Sequence, residues 1–246
     1  DGGLYAELVQ NRDFEYTSDD HKGWSAITAW KSNAPIRIAT ENPLSKNNPH
    51  YAVIAADTLY NEGWDGIVDR GAAYDFSIYA RNISGEKKEL SVALVAEDGN
   101  VMAEGKLKIV GKEWQRYTLA LNTANKKRTK MYGDKAVNCR LVVAGKKDAT
   151  VALDMISLFP HDTYKGHGLR KDLAEAIAEL KPKFVRFPGG CMSHGQGIDN
   201  IYHWNHTIGP WQDRKPDKNI WKYHQTRGLG FYEYFQMCED MGAEPL

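Results

Sequence analysis

The sequence predicts an antiparallel β-sandwich followed by an incomplete parallel α/β portion. Three observations carry that reading. Apolar and polar residues alternate in short runs up to about residue 160. Beyond that point apolar residues recur at helical spacing. A short apolar run, a long loop and a second helical stripe then follow. Period two buries one face of a strand and wets the other, whereas i, i+4, i+7 spacing buries one stripe of a helix.

The sandwich is placed at residues 12–160. Tyr74, Phe76, Ile78 and Ala80 alternate with Asp75, Ser77, Tyr79 and Arg81. Leu90, Val92 and Leu94 alternate in the same way, as do Tyr117, Leu119 and Leu121. Cys139, Leu141 and Val143 follow, then Val151, Leu153 and Met155. Gly71, the run 82–85, Asp98-Gly99-Asn100 and Gly111-Lys112 supply turns. Repeated short strands with almost no helical pattern read as a sandwich.

Residues 161–246 read differently. Leu169, Leu173, Ala176, Ile177 and Leu180 form one apolar stripe that Lys181-Pro182 ends. Residues 183–188 then read as a short buried strand broken by Gly189-Gly190. A loop of nearly forty residues leads to a second stripe of Leu229, Tyr232, Phe235 and Cys238, closed by Gly242. One complete strand cannot form a parallel sheet, so this portion is expected to be a piece of a larger fold. The exposed apolar faces of Phe184, Val185 and Leu173 predict self-association into a homo-oligomer, or disorder of residues 161–246.

Composition sets the outer limits. The 246 residues carry 32 Lys+Arg and 32 Asp+Glu, so no charge excess attracts nucleic acid or anionic lipid. Apolar residues at 42% and charged residues at 26% are the balance of a folded protein. Cys139, Cys191 and Cys238 are too sparse for a disulfide framework or a zinc cluster. No run approaches the ~20 apolar residues of a membrane span.

Chemistry concentrates after the strand at 183–188. In parallel α/β folds sites lie at the carboxyl ends of strands, and long loops there are usually functional. That loop holds His194, His203, Trp204, His206, Trp211, Trp221, Tyr223 and His224. Aromatic faces with polar hydrogen-bonding groups suit the C–H faces and hydroxyl rims of sugars. The bland alternative is a loop that packs its own aromatics for order. Glu7 lies in an apolar context, and Trp24, Trp30 and Trp64 are candidate stacking platforms on the sandwich. Trp114 reads as core and Trp64 as partly exposed. Glu15 and Asp154 are a candidate oxygen pair for a structural calcium ion, against the reading of two unrelated carboxylates.

Several motifs then stand in order: Asp1 to Leu8 with Phe14-Glu15, Phe187-Pro188-Gly189-Gly190-Cys191, Trp204 to Pro210, Gly228 to Phe235, and Glu239 to Pro245. Together they resemble the α-L-arabinofuranosidases of glycoside hydrolase family 51. The middle of the chain is similar to the jelly-roll carbohydrate-binding modules of families 4, 9 and 22, through residues 11–15, the Trp114-Gln115-Arg116-Tyr117 strand and the closing strand at 153–158. The resemblance implies a (β/α)₈ TIM barrel with a jelly roll inserted between the first barrel strand and its helix. Residues 1–11 are then the end of strand one and its loop, and residues 12–160 the jelly roll. Residues 161–246 hold helix one, strand two, helix two and the start of strand three.

The resemblance further implies a retaining mechanism in which two glutamates act as acid and nucleophile. Both are expected beyond Leu246, so no catalytic residue lies in this chain and the chain alone is expected to be inactive. Glu7 and Cys191 would contact arabinofuranose hydroxyls and Trp204 would wall the pocket. Arg186, Gly189 and Gly190 would support it. No cofactor is implied for catalysis. The expected partner is an arabinose-containing polysaccharide or oligosaccharide, and a polysaccharide-degrading parent favours a periplasmic or extracellular location. The alternatives are a non-catalytic carbohydrate-binding protein acting through the jelly roll, and a jelly roll that only braces its neighbour.

Overall fold

The structure, a computed structural model, describes residues 2–84, 88–145 and 150–246. Asp1 of the opening motif and Gly85 of the expected turn lie outside the described residues. In chain order the sandwich strands are β1 (Trp30–Ser32), β2 (Arg37–Ala39), β3 (Tyr51–Ile54), β4 (Thr58–Asn61), β5 (Ile67–Asp69), β6 (Ala73–Ser84), β7 (Lys88–Ala96), β8 (Val101–Ile109), β9 (Gln115–Asn122), β10 (Val137–Gly145) and β11 (Thr150–Pro160). One sheet runs β1-β4-β10-β7-β8, with β5 also pairing β10. The other runs β2-β3-β11-β6-β9. Every pairing within them is antiparallel.

The alternation read from the sequence is the alternation of burial. Tyr74, Phe76, Ile78 and Ala80 face inward, and Leu158 and Leu119 flank Phe76 in register. Across the core, Leu141 pairs with Leu94 and Val143 with Val92. Gly105 lets β8 approach β9, because a Cβ there would lie 2.6 Å from the Leu119 side chain. Trp114 is half-buried on the outer face of the second sheet, not in the core. It packs there beside Tyr51, under the Arg81 guanidinium.

A short helix not expected from the sequence, α1 (Lys126–Tyr132), interrupts the strands. Asn125 caps it by accepting from the Arg128 N–H. The helix exists to deliver Arg128 inward. Its Nε donates to Asp69 Oδ2 at 2.8 Å, and its remaining nitrogens donate to the Gly133, Lys135 and Asp69 carbonyls. Asp69 Oδ1 also accepts from Thr123, Tyr74 and Gly71. Burial alone would raise the Asp69 pKa, but donors from Thr123, Arg128, Tyr74 and Gly71 outweigh it and hold the carboxyl below its ordinary value.

The remaining elements are α2 (Lys171–Glu179), β12 (Phe184–Val185), α3 (Gly190–His194), β13 (Asp217–Lys218), β14 (His224–Gln225), α4 (Phe231–Met241) and β15 (Glu244–Pro245). β12 and β15 pair in parallel, with α4 between them in sequence. Gly242 ends α4 at φ +68°, a left-handed cap that glycine adopts without penalty. A second small core gathers Tyr164, Leu169, Ala174, Leu229 and Met237. The opening segment joins both parts. Leu8 N–H donates to the Leu158 carbonyl, Ala6 N–H to Gly168 and Arg170 N–H to Leu4.

Two expectations are corrected here. The strand at 183–188 is not buried: only Phe184 and Val185 form a ladder, and Phe184 is 59% exposed. A parallel pair with no third neighbour leaves its faces open. The expected open apolar faces are also covered in part, because backbone bonds from residues 4–8 and the second core dock residues 161–246 on the sandwich. Their apolar stripe stays partly uncovered, with Leu180 80% exposed. Among the described residues no helix is long and apolar enough to cross a membrane.

Two stability changes follow. Arg128→Ala leaves Asp69 charged and buried without its cation, and should cost about 3–5 kcal/mol in urea unfolding. Asp154, at the bulge of β11, is wholly buried. One oxygen accepts from Met155 N–H and the other is unpartnered. Burial, with Asp13 and Glu15 nearby, pushes its pKa well above the ordinary value. Stability from this group is therefore present at low pH and lost as pH rises through the raised value. Asp154→Asn should raise the melting temperature by about 2–4 °C at pH 7, a gain that shrinks towards pH 4 in a pH series of thermal scans.

Candidate functional site

A cavity of about 1050 Å³ lies where the opening segment, the β4–β5 turn, the start of α2 and the long loop meet. Its walls include Tyr5, Glu7, Arg12, Trp64, Trp221, Tyr223 and His224. It thus brings together aromatic residues from three widely separated stretches, Tyr5, Trp64 and the pair Trp221 and Tyr223, and Glu7 with them.

Glu7 sits at the inner wall. Oε1 accepts from the Val9 and Leu158 N–H groups at 3.0 and 2.9 Å. Oε2 accepts from Ser157 Oγ at 2.5 Å and Arg12 Nη1 at 3.3 Å. Four donors fill the acceptor sites of a carboxylate. Burial raises the Glu7 pKa, while Arg12, Ser157, Leu158 and Val9 counter the shift. Glu7 lines the cavity, and its carboxylate is also the partner that fixes Arg12.

Arg12 was not singled out from the sequence, where it sits beside Asp13 like an ordinary surface charge. It is buried, and Nη1 donates to Tyr5 OH at 2.7 Å. Its guanidinium lies 5.1 Å from the Trp211 ring centre. Nε and Nη2 have no partner. The His224 side chain is similarly enclosed: Nδ1 lies 2.9 Å from Asp20 Oδ2 and Nε2 is unpartnered. Burial would raise the Asp20 pKa, but bonds from His224 and Thr17 hold it below its ordinary value. The cavity wall thus combines polar side chains with aromatic ones.

The long loop is held by buried polar ties as well as by its aromatics, Trp211 on Phe159 and Tyr202 on Phe187. Arg214 makes a two-point pair with Glu233, at 2.9 and 2.7 Å, and also donates to the Gly209 and Arg227 carbonyls. Asn48 of the sandwich donates to the Gln212 and Arg214 carbonyls. Glycine is required where backbones meet. A Cβ at Gly230 would lie 1.9 Å from the Thr207 carbonyl oxygen, and one at Gly228 would lie 2.4 Å from the Tyr5 ring.

The other predicted residues lie elsewhere. Cys191 is exposed at the start of α3, where its neighbour Met192 reaches the cavity wall. Trp204 is 57% exposed on the turn Trp204–Thr207. Arg186 and Gly190 are exposed and Gly189, at φ +89°, is half-buried. None of these five lines the cavity. Trp30 is corrected as a platform: it is buried, stacks on Phe14 and donates its indole N–H to the Asn11 carbonyl. Trp24 has one face taken by Tyr16, 4.6 Å away and nearly parallel. Trp64 is 49% exposed, as expected.

The candidate calcium carboxylates, Glu15 and Asp154, are both buried. Glu15 Oε1 accepts from the His50 N–H at 2.7 Å, and Oε2 lies 2.6 Å from His50 Nδ1. Burial, with Asp13 and Glu15 nearby, raises the Asp154 pKa. Among the described residues no group of three His, Cys, Asp or Glu side chains is arranged to hold a metal ion.

Aromatic walls with a few convergent polar groups, at the joint of a β-sandwich and a parallel β–α–β unit, have the anatomy of a sugar site. The chain is homologous over its whole length to the α-L-arabinofuranosidases of glycoside hydrolase family 51. The family described as the α-L-arabinofuranosidase 1 domain matches residues 176–246. An extracellular exo-α-L-arabinofuranosidase of Streptomyces chartreusis is 41% identical over 263 residues, covering all of this chain and 30% of that protein. α-L-arabinofuranosidase 1 of Arabidopsis thaliana is 32% identical, with 37% of its length covered. The solved structure of an arabinose-bound family 51 α-L-arabinofuranosidase superposes with a TM-score of 0.85 at 34% identity. It covers all of this chain and 41% of that one. The chain thus spans well under half the length of these relatives.

Arg214 governs the order of the loop. Arg214→Ala leaves Glu233 largely buried without its cation and frees three backbone carbonyls. Hydrogen exchange of residues 205–230 should accelerate by about a hundredfold or more, which corresponds to roughly 3 kcal/mol of local stability, while β6 and β11 keep their protection.

Proposed function

We propose that this chain is part of a retaining α-L-arabinofuranosidase that removes terminal arabinofuranosyl groups from arabinan, arabinoxylan or their oligosaccharides. The observation that carries the reading is homology to such enzymes along the whole chain, from the opening segment to β15. In this reading β12, α4 and β15 are a strand–helix–strand unit of a (β/α)₈ barrel, α2 is the helix after its first strand, and residues 12–160 are the inserted jelly roll. The extracellular relative supports action outside the cell.

The chemistry of the class needs an acid and a nucleophile about 5–5.5 Å apart. We assign both to parts of the parent beyond this chain. What these residues supply is position. Glu7 holds Arg12 by a buried ion pair, and Arg12 holds Tyr5. Cys191 and Trp204, exposed beside the strand exit, are assigned to the arabinofuranose pocket, with Gly189, Gly190 and Arg186 shaping its floor. Fixing a ring against such a preorganised wall lowers the entropy lost on reaching the transition state.

A jelly roll that binds glycan independently through Trp24, Trp30 and Trp64 is less well supported, because Trp30 is buried and Trp24 is stacked. The bracing role has direct support in the bonds from Asn48 and Asn47 to residues 212–214.

The purified chain should release no nitrophenol from 4-nitrophenyl α-L-arabinofuranoside above the uncatalysed rate, since general acid and nucleophile each contribute orders of magnitude. It should still show saturation transfer to free L-arabinose in ligand-observed NMR. Turnover by the pure chain, or absence of any arabinose signal, would overturn the assignment.

A further inference from the structure

The β4–β5 turn of the sandwich is bonded to the segment that carries Glu7. Asn61 Oδ1 accepts from the Gly63 and Gln10 N–H groups, and its Nδ2 donates to the Gln10 carbonyl. Gly63, at φ +70°, is required for this contact, since a Cβ there would lie 2.8 Å from the Leu8 carbonyl oxygen. Trp64 follows directly and lines the same cavity as Glu7, Arg12, Trp221 and His224. Its position is therefore fixed relative to the site, not to the sandwich alone.

Six of the seven tryptophans divide into two groups, while Trp204 is exposed away from the cavity. Trp24, Trp30 and Trp211 stack on Tyr16, Phe14 and Phe159, and Trp114 meets Tyr51 edge to face. Among the described residues Trp64 and Trp221 have no ring partner, and each is about half exposed on the cavity wall. The charges on the wall are largely matched: Arg170 with Asp172, Lys171 with Asp162, and Arg12 with Glu7. Asp65, also on the wall, disfavours an anionic ligand. Arg12 and His224 place polar side chains in the same wall, each held by a carboxylate, Glu7 and Asp20. A cavity of about 1050 Å³ stands at the upper end of the range that encloses a drug-sized ligand, which is more space than one pentose needs.

We propose that Trp64 is a substrate-binding residue of the saccharide site, stacking a neutral sugar of the main chain that bears the arabinofuranosyl branch. The jelly roll then contributes to specificity for polymer over free sugar, with Trp221 as the facing platform. This rests on the arabinofuranosidase reading.

The test compares wild type, Trp64→Ala and Trp64→Phe by titration with L-arabinose and with an arabinosylated xylotetraose, read by ligand-observed NMR and by tryptophan fluorescence. Circular dichroism checks the fold, which the half-exposed position should spare. Wild type should bind the oligosaccharide more tightly than arabinose. Trp64→Ala should weaken the oligosaccharide about three- to tenfold and leave arabinose unchanged, and Trp64→Phe should restore most of the loss. Equal oligosaccharide affinity in wild type and Trp64→Ala overturns the role of Trp64 and leaves the functional reading standing, as does an oligosaccharide bound no better than arabinose. Binding of neither ligand by wild type overturns both.

Discussion

The buried carboxylate of Glu7 is the contact on which the arrangement of the two parts depends. It accepts from Ser157 and Leu158 on the last sandwich strand and from Val9 and Arg12 on its own segment. The sequence separation to Ser157 is 150 residues. A charge buried so deeply is costly unless every acceptor site is used, and here every site is used. The same bonds place residues 4–8 between β11 and the turn at 168–170. Once that segment is fixed, α2 starts where Arg170 meets Leu4, and the cavity acquires its inner wall.

This explains how the opening segment stays joined to residues 158–170 across a whole β-sandwich. The chain leaves at Gln10 and returns at Pro160, and the backbone bond from Leu8 to Leu158 closes that excursion. The sandwich needs its own core for this to hold, and the two facing sheets supply one. Its polar ties then point outward to the loop: Asn47 and Asn48 to residues 212–214, and Asp20 to His224. Buried bonds of this kind, each satisfying a backbone carbonyl or a side chain, specify one docking geometry more than they add affinity.

What the sequence made legible follows from the length of each signal. β6 runs for twelve residues, so its period-two pattern was plain, and the burial of Tyr74 to Ala80 follows it. β1 to β5 have three or four residues each, too few to set a period. α1 was hidden because its single inward residue is Arg128, whose burial depends on Asp69, which lies far away in sequence. The aromatic loop and Trp64 were visible as candidates, but their meeting was not, because it depends on the turn at Gly63 packing on Leu8. Arg12 and Glu7 carried no local sign of pairing with each other or with Ser157. Tertiary contacts between polar residues leave no periodicity to read.

The uncovered apolar surface and the cavity lie on different residues, and this separation has a consequence. Parallel strands are normally buried on both faces, yet Phe184, Leu180 and Phe235 remain exposed around β12 and α4. None of the three lines the cavity. The walls that carry Arg12, Trp64, Trp221 and His224 are instead closed by bonds within this chain, through Glu7, Asn61 and Asp20. Covering the apolar surface with further structure would therefore leave those walls in place. The polar and aromatic walls of the site are built jointly by the sandwich, the opening segment and the long loop.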